Sequence, residues 1–227
     1  MKTIGILGGL GPESTCEYYR YITRKYYETF GDYSYPEIII YSVRFSKFID
    51  CGYEAADEVK KAIENLHRAG ADFVVAACNT IHIVYKEVSG DIPIPWVSIM
   101  DTVAEQIKKE QIVKVGLLGT IFTMKEDFYP RALDMYGIET ITPAGEAQKR
   151  INDIIYEELV TGIVKDDSKR FVLECIEDLR ENGAGGIVLG CTELPFLIQQ
   201  KDTSLPVFDS TAIHAQKALD LALENAV

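Results

Sequence analysis

Short apolar runs rich in β-branched residues alternate along the chain with longer stretches of helical period. Thr3–Gly8, Glu37–Val43, Asp72–Ala77, Val113–Gly119, Gly137–Ile141 and Gly186–Gly190 are predicted strands. Between them the spacing of apolar positions predicts helices over Glu13–Thr29, Tyr53–Ala69, Thr80–Val88, Asp101–Lys109, Glu126–Tyr136, Glu146–Gly162 and Ser168–Glu181. A closing helix runs from Ser210 to Asn225, with Ser210 or Thr211 as its cap. The strand runs are continuously apolar rather than alternating, so both of their faces are covered, as in parallel sheets with crossover helices. The expected fold class is α/β.

An internal repeat sharpens that expectation. Thr3-Ile-Gly-Ile-Leu-Gly returns as Lys114-Val-Gly-Leu-Leu-Gly, 111 positions later. Ala71-Asp-Phe-Val-Val-Ala-Ala-Cys78-Asn-Thr returns as Ala184-Gly-Gly-Ile-Val-Leu-Gly-Cys191-Thr-Glu, 113 positions later, and Ile94-Pro95 returns as Leu205-Pro206. Three segments in one order at nearly one offset imply two similar α/β halves related by pseudo-twofold symmetry, with a site expected in the cleft between them. In open α/β sheets ligands bind beyond the carboxyl ends of the strands. Cys78 and Cys191 both fall at such an end.

Composition narrows the classes of function. The 227-residue chain is 47% hydrophobic and 26% charged, which excludes intrinsic disorder. No apolar run approaches the roughly 18 residues of a membrane span, and Met1 to Ser14 reads as a strand entering a turn, not a signal peptide. The net charge of −12 and sequence pI near 4.8 argue against nucleic acid as a partner. A cytoplasmic protein is expected. Five cysteines (Cys16, Cys51, Cys78, Cys175, Cys191) are an odd count in a chain too long to need disulfide staples. His67, His82 and His214 are scattered and no metal-ligand spacing occurs, so no metal site is expected.

The two strand-exit cysteines carry the candidate chemistry. Read as the last residue before a helix, each thiol meets free backbone N–H groups and a positive helix end, which favour thiolate. Either one alone reads as a small buried hydrophobe; the repetition at equivalent exits is what packing does not explain. Two acid/base groups on opposite faces of a substrate carbon suit an inversion, one removing a proton and the other returning one. Asn79, Thr80 and Thr192 are donors that could stabilise the carbanion from the substrate carboxylate. No lysine context calls for pyridoxal phosphate, and no cofactor is expected. A redox dithiol would need the two sulfurs in contact.

These pieces resemble the aspartate/glutamate racemase family of cofactor-independent amino-acid racemases, over essentially the whole chain. The matching segments are Ile4-Gly-Ile-Leu-Gly-Gly-Leu-Gly-Pro12, Cys78-Asn-Thr-Ile-His82, Leu117-Leu-Gly-Thr-Ile-Phe-Thr123-Met, Gly190-Cys-Thr-Glu193 and Leu205-Pro-Val-Phe-Asp209. The resemblance implies that Cys78 and Cys191 are the two catalytic acid/bases, with Gly9, Leu10, Asn79, Thr80, Thr120, Thr123, Thr192 and Glu193 around the substrate. Leu10 departs from the Met common there in relatives. The resemblance further implies a first domain of residues 1–100 plus 207–227, a second of residues 101–206, and a homodimer. The activity implied is racemisation of aspartate, and of glutamate with it. Another amino-acid racemase, a maleate isomerase or decarboxylase of the same superfamily, or a non-catalytic amino-acid-binding protein stay open at this stage.

A second substrate carboxylate calls for a cation. Arg44 follows the second strand and Lys149 opens the Glu146–Gly162 helix, its Gln-Lys pair resembling that of members acting on aspartate. Gly8-Gly9-Leu10-Gly11-Pro12 lacks the G-x-G-x-x-G spacing of a dinucleotide loop. His82 either polarises the thiol four residues away or satisfies a nearby carbonyl. The aromatic run from Tyr18 to Phe30 reads as packing or as a contact between copies.

Overall fold

Runs such as Ile4-Gly-Ile-Leu-Gly and Phe73-Val-Val-Ala have no polar face to show to water, so they form strands only where helices cover both sides. That is how the chain folds. The structure, a computed structural model, describes residues 1–48 and 52–224. In chain order it contains β1 (Ile4–Gly8), α1 (Pro12–Phe30), β2 (Ile38–Ser42), α2 (Ala56–Arg68), β3 (Phe73–Ala76), α3 (Tyr85–Val88), β4 (Trp96–Val97) and α4 (Ile99–Lys109). It continues through β5 (Lys114–Gly119), α5 (Ile121–Lys125), α6 (Phe128–Asp134), β6 (Glu139–Ile141), α7 (Gly145–Glu157) and α8 (Asp166–Glu181). β7 (Ile187–Gly190), α9 (Leu194–Leu197), β8 (Val207–Asp209) and α10 (Ser210–Leu223) complete it.

Two four-stranded sheets result, in the orders β2-β1-β3-β4 and β6-β5-β7-β8, and every pairing is parallel. The orders are the same once each half is counted from its own start, so the sequence repeat is a repeat of topology. In the first sheet Ile4 lies opposite both Ile38 and Phe73; in the second Gly116 lies opposite both Ile141 and Ile187.

The chain divides into a unit of Met1–Thr102 with Thr211–Val227 and a unit of Val103–Ser210. The expected second crossing at residue 207 therefore moves four residues on. Val207–Asp209 is a strand paired to β7, with Val188 opposite Phe208, and Ser210 Oγ donates to Leu189 O at 2.7 Å, so both belong with the second sheet. In the first unit α1 and α10 cover one sheet face, packing Tyr18, Ile22, Tyr26, Ala215, Ala218 and Leu219 on Ile4, Ile6, Phe73 and Val75. In the second, α7 and α8 bring Ile151, Ile155, Val172 and Ile176 onto Leu118, Ile187 and Leu189.

Other departures have local causes. The helix expected over Thr80–Val88 is a 3-10 turn over Thr80–Val84 followed by the four-residue α3. The β-branched Ile81, Ile83 and Val84 are poor helix formers, and the His82 ring bonds back to the carbonyl of Cys78. Similarly, the Glu146–Gly162 helix stops at Glu157, and Gly162 in the left-handed conformation closes the 3-10 turn that follows. The strands β4 and β8, with α5 and α9, were not expected; each has five residues or fewer. Cys51 and the end of the closing helix at Asn225 lie outside the described residues.

Leu118 is fully buried in the second unit, whereas Met135 is 85% exposed. Leu118→Ala should cost about 2–5 kcal/mol in chemical denaturation, and Met135→Ala should cost less than about 0.5 kcal/mol. Equal costs would contradict this core.

Candidate functional site

Parallel strands leave their sheet at a common edge, and that edge gathers the first group of candidates. β1 ends at Gly8, β2 at Ser42 and β3 at Ala76. Val43 N–H donates to Gly8 O at 2.9 Å and Ala77 N–H donates to Leu7 O at 2.9 Å, tying the three exits together. Gly9 has φ of 81°, and a Cβ on it would lie 2.5 Å from Val43 O, so only glycine fits. Its N–H donates to Thr15 Oγ1 at 2.9 Å, and the Thr15 hydroxyl donates to Gly11 O at 3.1 Å. Thr15 and Ser42, whose Oγ lies against Gly9, thus shape the loop. Neither was expected; the only signal was a threonine in the first turn of the helix that the glycine loop opens. Leu10 is buried and part of the wall. Arg44, exposed, follows the β2 exit and opens a 3-10 turn over Phe45–Lys47.

Cys78 follows β3 at the same edge and is half-buried, with Asn79 buried and Thr80 half-buried after it. Both ring nitrogens of the buried His82 are taken by backbone. Nδ1–H donates to Cys78 O at 2.9 Å, and Nε2 accepts from Ile99 N–H at 3.3 Å. Those two bonds fix the neutral tautomer; the ring holds the backbone of Cys78 in place. Burial pushes the His82 pKa down to about 4. Beside it, His214 donates from Nε2 to Val97 O at 3.1 Å and accepts the Tyr18 hydroxyl at Nδ1, 2.7 Å. Burial first, and the neighbouring His82 second, push its pKa down to about 3.

In the second unit the equivalent edge carries Thr120 after β5 and Cys191 after β7. Thr120 caps α5, accepting from Thr123 N–H at 3.4 Å, and its Oγ1 lies 3.2 Å from Thr123 Oγ1. Asn152 of α7 takes the Ile121 N–H at 2.9 Å, a further contact not anticipated. Cys191 is 7% exposed and its Sγ donates to Glu193 Oε2 at 3.0 Å. Thr192 Oγ1 donates to the same oxygen at 2.7 Å. Glu193, expected beside the substrate, is buried and turned toward its own neighbours. Lys149 is exposed on α7, near the start of the helix that follows β6.

One expectation is corrected. Neither cysteine faces the end of a long helix: a five-residue 3-10 turn follows Cys78 and the four-residue α9 follows Cys191. The aligned peptides are too few for a full macrodipole, so the immediate hydrogen-bond partners set the environment of each thiol. Among the described residues no cluster of three His, Cys, Asp or Glu side chains could hold a metal ion, and no helix is long and apolar enough to cross a membrane.

A family model for Asp/Glu/Hydantoin racemase matches residues 7–218. The broad specificity amino-acid racemase RacX of Bacillus subtilis is 28% identical over 97% of this chain and 98% of its own. A solved aspartate racemase homologue from Pyrococcus horikoshii is 44% identical, with a TM-score of 0.87 over 98% of this chain and 99% of that one. The aspartate racemase of Picrophilus torridus is 25% identical, with a TM-score of 0.75 over 98% and 94%.

Two outcomes follow from this geometry. Gly9→Ala should destabilise the first unit by about 1–3 kcal/mol through strain at positive φ and the clash with Val43 O; an unchanged denaturation midpoint would contradict it. His82 is kept neutral in the fold but takes up a proton near its ordinary value of 6.5 once unfolded. Its contribution to stability is therefore complete above about pH 6.5 and is lost as the pH falls toward 4. The gap caps the loss at about 3 kcal/mol. His82→Gln should flatten the wild-type decline in thermal midpoint across that window, and parallel curves would contradict the assignment.

Proposed function

Because the chain belongs to the Asp/Glu/Hydantoin racemase family and is thereby an isomerase, we propose that it racemises aspartate with Cys78 and Cys191 as the two acid/bases. The observation that carries this reading is one residue type at two equivalent strand exits, in sheets of the same strand order. Cys78, as thiolate, takes the α-hydrogen: the Cα–H bond breaks, an S–H bond forms, and the electron pair moves into the substrate carboxylate as an enediolate. Cys191, as thiol, gives its proton to the opposite face of the same carbon, and its own sulfur is left as thiolate. In the reverse direction the roles exchange. No external redox partner is needed, since one proton leaves and one arrives.

Glu193 is a positioning residue in this scheme. A carboxylate oxygen accepts from Cys191 Sγ at 3.0 Å and fixes where that sulfur points. His82 does the corresponding work for Cys78 through the backbone. Asn79, Thr80, Thr120, Thr123 and Thr192 supply donors for the substrate carboxylate, and the glycine loop at Gly9 and Leu10 forms a wall. Arg44 and Lys149 meet the second carboxylate, their charge attracting an acidic substrate to a chain of net charge −12. Aspartate is favoured by the two aspartate racemase relatives. The broad specificity of RacX, similar over nearly the full length of both chains, favours a second reading in which several amino acids are turned over.

The test is loss of optical activity of L-aspartate without added pyridoxal phosphate, beside a panel of amino acids resolved by chiral separation. Cys78→Ala and Cys191→Ala should each lower the rate by about 100-fold to 10,000-fold. Glu193→Gln should lower kcat more than it raises KM and shift the pH profile. Wild-type rates in both cysteine variants would overturn the mechanism, and turnover of other amino acids without aspartate would overturn the substrate.

A further inference from the structure

We propose that Asn152 is a positioning residue for substrate recognition, tying the helix that carries Lys149 to the turn that carries Thr120 and Thr123. The inference rests on the reading of Lys149 as the cation that meets the second carboxylate. Asn152 lies half-buried on α7, and its Oδ1 accepts from Ile121 N–H at 2.9 Å. Ile121 is the first residue of α5, directly after Thr120. One hydrogen bond therefore joins the β5 exit to the helix that follows β6, within the second unit.

The start of α7 needs such a tether. The helix begins at Gly145 behind Ala144, a cap whose side chain makes no hydrogen bond. Lys149 comes just over one turn in, where the position of the helix is set from outside. Two side chains set it. Gln148, buried, donates from Nε2 to Thr142 Oγ1 at 3.0 Å and holds the helix to the β6 exit. Asn152, four residues on and on the same face, holds it to the β5 exit. Lys149 stands beside both, next to Gln148 in sequence and three residues before Asn152, so it shares a flank with the tether. Its ammonium sits on a long flexible stem, and fixing the helix limits where that charge can reach.

The residue type fits the role. Asparagine is a poor choice for a helix interior because its side chain competes for backbone groups. Here that tendency is turned on the N–H of another element. At the far end, the leading N–H groups of a helix have no partner within it. Asn152 takes Ile121 N–H and Thr120 Oγ1 takes Thr123 N–H, so two of these donors on α5 are used. The turn that offers the Thr120 and Thr123 hydroxyls to one carboxylate, and the helix that offers Lys149 to the other, are thereby held at one spacing. A dicarboxylic amino acid must be held at both ends while its α-carbon reacts.

Calorimetric titration with racemic aspartate, in which no net turnover occurs, tests the inference apart from the reaction. The bond is cut from either end. Asn152→Ala removes the acceptor and leaves a strong helix former. Ile121→Pro removes the donor at the first position of α5, which tolerates proline. Thr120 before it already has the extended φ of −66° and ψ of 166° that a following proline requires. Each variant should raise the dissociation constant for aspartate about tenfold with unchanged circular dichroism. KM should rise in step while kcat stays within about threefold. With Lys149→Met already present, either change should add less than about twofold, because the tether acts through that lysine. The two variants are independent, so one that fails to fold leaves the other to decide. Wild-type affinity in a folded variant overturns the inference. A loss of the same full size on top of Lys149→Met overturns it too, since the bond would then be structural alone. A wild type that binds aspartate but leaves its optical activity unchanged overturns the racemase reading and not this one; a wild type that binds no aspartate overturns both.

Discussion

Parallel pairing is the constraint from which the rest of the molecule follows. With Ile4 in register with both Ile38 and Phe73, three strands must leave the first sheet at one edge, and their exits bring Gly9, Arg44 and Cys78 to that edge. The second sheet does the same for Thr120 and Cys191. The central strands β1, β3 and β7 are buried along their whole length, so their exits are where their neighbouring side chains can meet a ligand. The candidate residues sit on loops whose ends are held by sheet hydrogen bonds, such as those from Val43 N–H to Gly8 O and from Ala77 N–H to Leu7 O. Glycine is required at Gly9 because the loop passes so close to Val43 that no Cβ fits.

The two thiols share a position and differ in their surroundings. Cys191 is buried and bonded to a carboxylate; Cys78 is more open, and its backbone is held by a neutral histidine. A duplicated scaffold would give both the same neighbours, so the difference lies in the residues that follow each exit: Asn79-Thr80-Ile81-His82 in one unit, Thr192-Glu193 in the other. That asymmetry gives the two thiols different hydrogen-bond surroundings at equivalent strand exits. His82 and His214 are held in fixed neutral tautomers by backbone groups and by Tyr18. Such buried pairs act as rigid spacers for as long as the pH keeps them neutral.

The sequence made the strands and the two exits legible because period and repeat are long-range patterns that survive small local variation. Ala71–Thr80 and Ala184–Glu193 matched over ten residues and pointed to equivalent strands, which the sheet orders bear out. Short elements were not legible. Trp96–Val97 and Val207–Asp209 are too brief to show a period, and only their partners in the sheet make them strands. The turn after Cys78 was misread as a longer helix because its apolar spacing suits both forms, and the bond from His82 to Cys78 O is a tertiary event. Nothing in Cys-Thr-Glu says which way a carboxylate turns, so the bonds from Cys191 and Thr192 to Glu193 were not legible either.

The central claim is that one thiol takes the hydrogen and a different thiol returns one. It is tested most directly by starting from protiated L-aspartate in deuterated water and following label at the α-carbon of both enantiomers during the first few per cent of conversion. Two bases predict D-aspartate carrying deuterium from the solvent-exchanged second thiol, while the remaining L-aspartate stays protiated. D-aspartate that retains the original hydrogen would mean that a single group carries it from face to face, and would contradict the account.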